Sequence, residues 1–275
     1  MTGMAKWVAG AWLLLALTGS PAQAAAPPSG ARYVAMGSSY AAGPTVTMPA
    51  DNPATRCSRS LDNYPHQLAR KRDYRLVDVS CSGATTAHIL GPWNELPAQL
   101  DAVTPDTALV TVTIGGNDVG FTAALAAATC AKAGRPDCRP PNVTQANWTS
   151  LEANLHRIAA EVRRRAPGAR LIFVEYPMIL PPQGGCAATA MAPADIDAIR
   201  ATATRLVAVT DSVAKAGKAD LLPAFTLTKG HDVCAKDHWA EGAWLGAGPP
   251  TFATYHPNFA GHTAIYEALD KMLGK

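Results

Sequence analysis

The sequence predicts an α/β fold, a three-layer α/β/α sandwich around a central, mostly parallel five-stranded sheet. Three observations carry this expectation. Five short apolar runs rich in β-branched residues recur: "RYVAMG" (32–37), "RLVDVS" (75–80), "ALVTVTIGG" (108–116), "RLIFVEYP" (170–177) and "ADLLPAF" (219–225). Helical patterns lie between them, and strands alternating with helices pair in parallel and are buried on both faces. Beyond an N-terminal leader, about 250 residues remain, enough for one sizeable core.

The elements follow in order. The first strand pattern ends at "GSS", where residues 40–60 read as a long loop, and "YPHQLARKR" (64–72) predicts the first helix. A helix over 148–166 is the clearest, because Leu151, Leu155, Ile158, Ala159 and Val162 fall on one face at i, i+3, i+4 spacing. The longest helical pattern spans 191–217, and another over 258–275 closes the chain. Stretches 128–147, 180–190 and 226–255 read as further long loops, placed at strand ends where such folds carry their sites. No internal repeat or dividing linker interrupts residues 25–275, so they are expected to form a single domain.

Residues 1–24 read as a secretory signal peptide. Lys6 precedes the apolar run "WVAGAWLLLALTG", and Ala22-Gln23-Ala24 fits a small-residue cleavage site. The alternative is an uncleaved anchor, but the run is shorter than the ~20 apolar residues a spanning helix needs. Export to the extracellular space or periplasm is expected, without integral membrane association. The formal net charge is only +3 and the charges are interspersed. The one run, Arg163 to Arg165, reads as a solvated helix C-terminus, so no nucleic-acid partner is implied.

All six cysteines, Cys57, Cys81, Cys130, Cys138, Cys186 and Cys234, follow the leader. An even count in an exported chain favours three disulfides, with fifteen possible pairings. Sequential pairing is expected, because Cys130 and Cys138 bracket the Gly/Pro-containing loop "AKAGRPD". Metal binding is the rival, but there is no C-x-x-C pair and no histidine at ligand spacing. No metal or other cofactor is expected.

Each strand-end segment delivers a distinctive residue set: "GSS", then "SCSGATT", then "IGGND", and finally "YHPNFAGH" before the last helix. In this order the blocks resemble the SGNH (GDSL-type) hydrolases, a flavodoxin-like family, and the disulfide-rich secreted bacterial esterases and lipases in particular. The resemblance runs from Tyr33 to about Leu269. Carried over, the family nucleophile falls on Ser39, the oxyanion-hole glycine on Gly83, the oxyanion-hole asparagine on Asn117 and the catalytic histidine on His256. The chemistry is coherent: a serine hydroxyl needs a base, and neutral imidazole suits that role near pH 7. The N–H groups of Ser39 and Gly83 with the Asn117 amide would supply three donors to an oxyanion.

Two positions depart from the pattern. Ser38 stands where G-D-S has Asp; a local hydrogen bond to its own turn is expected of it. Ala253 stands where the family's D-x-x-H acid would be, and the resemblance to secreted members that lack the acid and use a nearby backbone carbonyl implies that the Ala253 carbonyl receives the His256 Nδ1 proton. Asp118 is assigned to holding its loop. His262 should lie inside the last helix, and His66, His88, His156, His231 and His238 read as surface or structural histidines. The sequons at Asn142 and Asn147 mark an exposed loop, and the absence of G-x-S-x-G removes support for an α/β-hydrolase elbow.

The resemblance implies a monomeric, cofactor-free serine esterase or lipase acting on ester or lipid substrates. Trp93, Trp239, Trp244 and Phe252 would either line an acyl groove or anchor loops, two readings the sequence leaves level. Removal of acetyl groups from carbohydrate is the runner-up, and a non-catalytic binding protein that retains the fold is the rival from another class.

Overall fold

The computed structural model describes residues 1–2, 26–244, 246, 248 and 250–274. The expected leader's apolar run lies outside them. Five strands, β1 (Arg32–Gly37), β2 (Arg75–Asp78), β3 (Thr107–Thr113), β4 (Arg170–Val174) and β5 (Asp220–Leu222), form one sheet in the order β2-β1-β3-β4-β5. Every neighbouring pair is parallel.

Among the described residues, eight α-helices connect and cover the sheet: α1 (Ser39–Ala42), α2 (Tyr64–Arg72), α3 (Thr86–Leu90), α4 (Phe121–Lys132), α5 (Gln145–Arg165), α6 (Pro193–Ala216), α7 (Ala224–Leu227) and α8 (Phe259–Leu273). Strand side chains alternate between faces. Val34, Met36, Val110 and Val112 join the core under α3 to α6, packing with Ile89, Leu125, Leu151, Leu155 and Leu206. Tyr33, Ala35, Leu109 and Ile172 join the opposite core with Tyr64 and Leu68 of α2 and Ile265 and Leu269 of α8. Two dry cores on the two faces of one sheet make the predicted three-layer sandwich.

Several boundaries differ from expectation. Residues 128–147 were expected as loop, yet α4 reaches Lys132 and α5 begins at Gln145. The segment "FTAALAAATCAK" lacks a clear apolar stripe, but alanine's helix propensity compensates. The strands also stop short of their apolar runs: "VS", "IGG" and "EYP" leave the sheet at its C-terminal edge. Those overhangs carry residues of the site.

The disulfides pair sequentially: Cys57–Cys81, Cys130–Cys138 and Cys186–Cys234. They tie the long loops to the sheet edge, to the end of α4 and to each other. Each contributes roughly 2–4 kcal/mol by restricting the unfolded chain. No helix among the described residues is long and apolar enough to cross a membrane.

Candidate active site

The site begins where β1 runs out. A Cβ at Gly37 would lie 2.4 Å from the Thr113 carbonyl oxygen, and its φ of +149° disfavours other residues. With no side chain, Gly37 lets β1 and β3 approach to the last rung. Its N–H donates to Gln99 Oε1 at 2.7 Å, and its carbonyl accepts from Gln99 Nε2 at 3.0 Å and from the Cys81 N–H at 3.0 Å.

Ser38 follows, fully buried. Its N–H donates to the Thr113 carbonyl, and its own carbonyl accepts from the N–H groups of Ala41 and Ala42. The expected local side-chain bond is absent: Ser38 Oγ instead pairs with Tyr176 OH, 138 residues away, at 2.7 Å. Burial removes water as a partner, and the phenol beyond β4 supplies the hydrogen bond that the one-turn helix α1 does not.

Ser39, the first residue of α1, points its Oγ at His256 Nε2, 2.7 Å away. His256 lies on the loop before α8, where Tyr255 adopts a left-handed conformation with φ of 57°. Its Nδ1 contacts the Thr254 carbonyl at 2.8 Å, not that of Ala253. The expected Ala253 carbonyl is displaced by a local bend: the left-handed Tyr255 turns the Thr254 carbonyl, two residues before the histidine, toward the ring. Ala253 faces the other way, its N–H donating to Thr45 Oγ1 at 2.7 Å. With Nδ1–H given to Thr254, the Nε2 lone pair faces the serine hydroxyl. Burial holds the imidazole below its ordinary pKa, only partly offset by the Thr254 carbonyl, so the ring is neutral at neutral pH.

Tyr40 braces this loop. Its ring centroid lies 4.6 Å from that of His256, and its hydroxyl donates to the Tyr255 carbonyl at 2.6 Å. On its other side the Tyr176 ring sits 4.3 Å away. Tyr40, Tyr176, Gln99 and Thr254 are the supporting residues that motif reading missed. Adjacency to Ser39 was the available signal for Tyr40, and the "EYP" overhang for Tyr176.

Three groups are expected to donate to an oxyanion at this turn. The N–H groups of Ser39 and Gly83 have no hydrogen-bond acceptor among the described residues. Gly83 has φ of +84°, and a Cβ there would press on Trp93 at 3.2 Å. Asn117 donates one amide hydrogen to the carbonyl of Ala84, at 2.9 Å, while its Oδ1 accepts from Thr122 Oγ1 at 2.7 Å. Those bonds fix the amide's orientation beside the Gly83 turn and leave its second N–H available. Asp118 accepts from the backbone N–H and hydroxyl of Thr86, holding the same loop as expected.

His262 is in α8 and buried, with Nδ1 accepting the Tyr64 N–H at 3.1 Å. Burial and the neighbouring His256 push its pKa down to about 3, so it is a neutral core histidine. The four aromatic residues divide. Trp93 stacks on His88 and lines a cavity of about 380 Å³ with Leu96, Pro97 and the Cys57–Cys81 bridge. Trp244 lines a groove of about 610 Å³ with Thr129, Met191 and Ile196. Phe252 borders a cavity of about 370 Å³ with Pro257 and Asn258. Trp239 stacks on His231 at 3.5 Å and anchors its loop. Among the described residues no group of three or more His, Cys, Asp or Glu is placed to hold a metal ion.

Comparison with known proteins places this geometry in context. The sequence matches the GDSL-like lipase/acylhydrolase family over residues 35–264. It is 33% identical to Lipase 2 of Streptomyces coelicolor, over 88% of this chain and 85% of that protein. Among solved structures, phospholipase A1 of Streptomyces albidoflavus superposes with a TM-score of 0.72 at 25% identity, covering 89% of this chain and all of that one. The extracellular lipase of Streptomyces rimosus gives 0.70 at 28%, over 88% of this chain and 99% of the other. The chain therefore belongs to the GDSL-like lipase/acylhydrolase family and is a carboxylic ester hydrolase.

Proposed function

We propose that the protein is a secreted serine esterase or lipase that cleaves carboxylic esters through an acyl-Ser39 intermediate. The observation that carries this reading is the 2.7 Å contact from Ser39 Oγ to a His256 whose opposite nitrogen is held by a carbonyl. Nε2 takes the hydroxyl proton as Oγ attacks the ester carbonyl. The tetrahedral oxyanion accepts hydrogen bonds from the Ser39 and Gly83 N–H groups and the Asn117 amide. Collapse expels the alkoxide, which leaves as the alcohol with the proton from His256. Water, deprotonated by the same nitrogen, then attacks the acyl-enzyme, releasing the acid and restoring Ser39. The third group's work, fixing the tautomer and stabilising imidazolium, falls to the Thr254 carbonyl, which does it less well than a carboxylate.

The lipase and phospholipase relatives and the cavities at Trp93 and Trp244 favour esters with an apolar acyl chain. Disulfide-tied loops and the leader-like residues 1–24 favour export, with residues 25–275 acting as one monomeric, cofactor-free domain. Labelling with a fluorophosphonate probe tests the mechanism: the oxidised protein is modified at Ser39 and Ser39→Ala is not. An unreactive wild type defeats the reading. A p-nitrophenyl ester series of increasing chain length tests the substrate, and a sharp preference for acetate would favour the carbohydrate-deacetylating alternative.

A further inference from the structure

Ser38 breaks the G-D-S pattern directly beside the nucleophile, and the structure gives it a partner no motif contains. Its Oγ lies 2.7 Å from Tyr176 OH, with both residues buried. Ser38 Oγ has no other side-chain partner among the described residues, while Tyr176 OH also accepts a hydrogen bond from the Gly116 backbone N–H. Tyr176 sits in an otherwise apolar stack, its ring 4.3 Å from Tyr40 and 6.0 Å, edge-on, from Phe121. Phenylalanine would fill that space equally well, and a buried hydroxyl is costly unless it is paired. The phenol oxygen therefore answers to Ser38 and the Gly116 backbone rather than to packing.

The consequence lies in the peptide plane between Ser38 and Ser39. Its carbonyl end accepts from the Ala41 and Ala42 N–H groups at 3.0 and 2.9 Å. Its other end is the Ser39 N–H, which has no acceptor among the described residues. The Ser38 N–H is tied to Thr113, in β3, at 3.0 Å, while its side chain is tied to Tyr176, just beyond β4. Rotation of Ser38 would turn the Ser39 N–H and displace Oγ together. Tyr176 also backs onto Gly116, where a Cβ would meet its OH at 2.8 Å. The same phenol thus abuts the residue before Ser39 and the residue before Asn117.

We propose that Tyr176 is a positioning residue of the reaction, its hydroxyl locking Ser38 so that the Ser39 N–H and the Asn117 amide converge on one oxyanion. In this chain the Ser38–Tyr176 hydroxyl pair does the anchoring at the position where the motif has Asp. The inference rests on the Ser39 reading above.

The test is a double-mutant cycle of Tyr176→Phe and Ser38→Ala on a p-nitrophenyl ester, with kcat expressed per Ser39 site titrated by fluorophosphonate. Tyr176→Phe keeps the ring stack and is expected to lower kcat by about tenfold with KM within about twofold, the signature of a loss confined to the transition state. If the pair acts as a unit, the double variant matches the slower single variant. The proposal is overturned if Tyr176→Phe keeps kcat per site within about twofold of wild type, or if the two losses multiply. A variant with a lower melting temperature but unchanged kcat per titrated site shows a merely structural hydroxyl and also overturns it. Should Tyr176→Phe not fold, Ser38→Ala alone must show the same kcat-only loss. A wild type that is not labelled at all defeats the Ser39 reading instead, so the two failures are separable.

Discussion

The turn that carries Ser39 and the loop that carries His256 lie 217 residues apart in sequence and are held by different means. The turn is an extension of the sheet. Gly37 is fastened by both ends of the Gln99 amide and by the Cys81 N–H, and the Cys57–Cys81 bridge clips the neighbouring loop. The base loop pairs its backbone chiefly with itself: the Tyr255 N–H donates to the Glu241 carbonyl, the Glu241 N–H to the His256 carbonyl and the Asn258 N–H to the Trp239 carbonyl. It runs from the end of α7 to α8, and side chains dock it on the rest of the fold: Tyr40 OH donates to the Tyr255 carbonyl, and Tyr255 OH bonds Thr129 and the Thr189 carbonyl. The Cys186–Cys234 bridge is its covalent tie. Geometry secured by backbone pairing fails together with the fold. Geometry docked on the sheet by isolated side chains can fail while the fold survives.

That contrast can be broken by experiment. On the turn side, Gln99→Met strands the buried Gly37 N–H and should cost about 3 kcal/mol of stability in urea unfolding. Turnover per folded molecule should stay within about threefold, and a large loss of kcat with unchanged stability would reverse the comparison. On the loop side, Tyr40→Phe keeps the stack on His256 but releases the Tyr255 carbonyl. It should lower kcat by about tenfold, equivalent to about 1.4 kcal/mol in the barrier, with a smaller loss in stability.

The pH profile sharpens the same point. His256 must be neutral to accept the Ser39 proton, and burial holds its pKa below 6.5. Protonation as pH falls removes the base, so kcat/KM should hold above the depressed pKa of His256 and decline through it. The midpoint of the acid limb is expected below pH 6.5, and one well above would mean that a carboxylate stabilises the imidazolium. The smallest effect belongs to Asp237. Its carboxylate is 79% exposed and lies 3.3 Å from His231 Nδ1, so Asp237→Asn should leave kcat within a few fold. A thousandfold loss would identify a distant acid acting on the base.

Strand order of chemistry, helix faces and disulfide partners were legible in the chain because they are local or patterned. Leu151, Leu155 and Ile158 recur at the helical period, and "GSS", "GGND" and "HPN" each follow the element that presents them. The helix α4 was hidden because alanine-rich segments carry propensity without a stripe. The orienting carbonyl was misplaced by one residue because the left-handed turn at Tyr255 leaves no periodic trace in sequence.

By itself, then, the sequence determined the α/β layering, the residue types proposed as nucleophile, base and donors, and the lack of a carboxylate at Ala253. Those are properties of spacing and chemistry along the chain. Only the tertiary structure decided that Thr254 supports His256, that Tyr40 clamps the base loop, and that Ser38 is held by Tyr176. Each of those bonds joins groups whose separation in space depends on how five strands pair and where their overhangs turn, and no local pattern encodes such a distance.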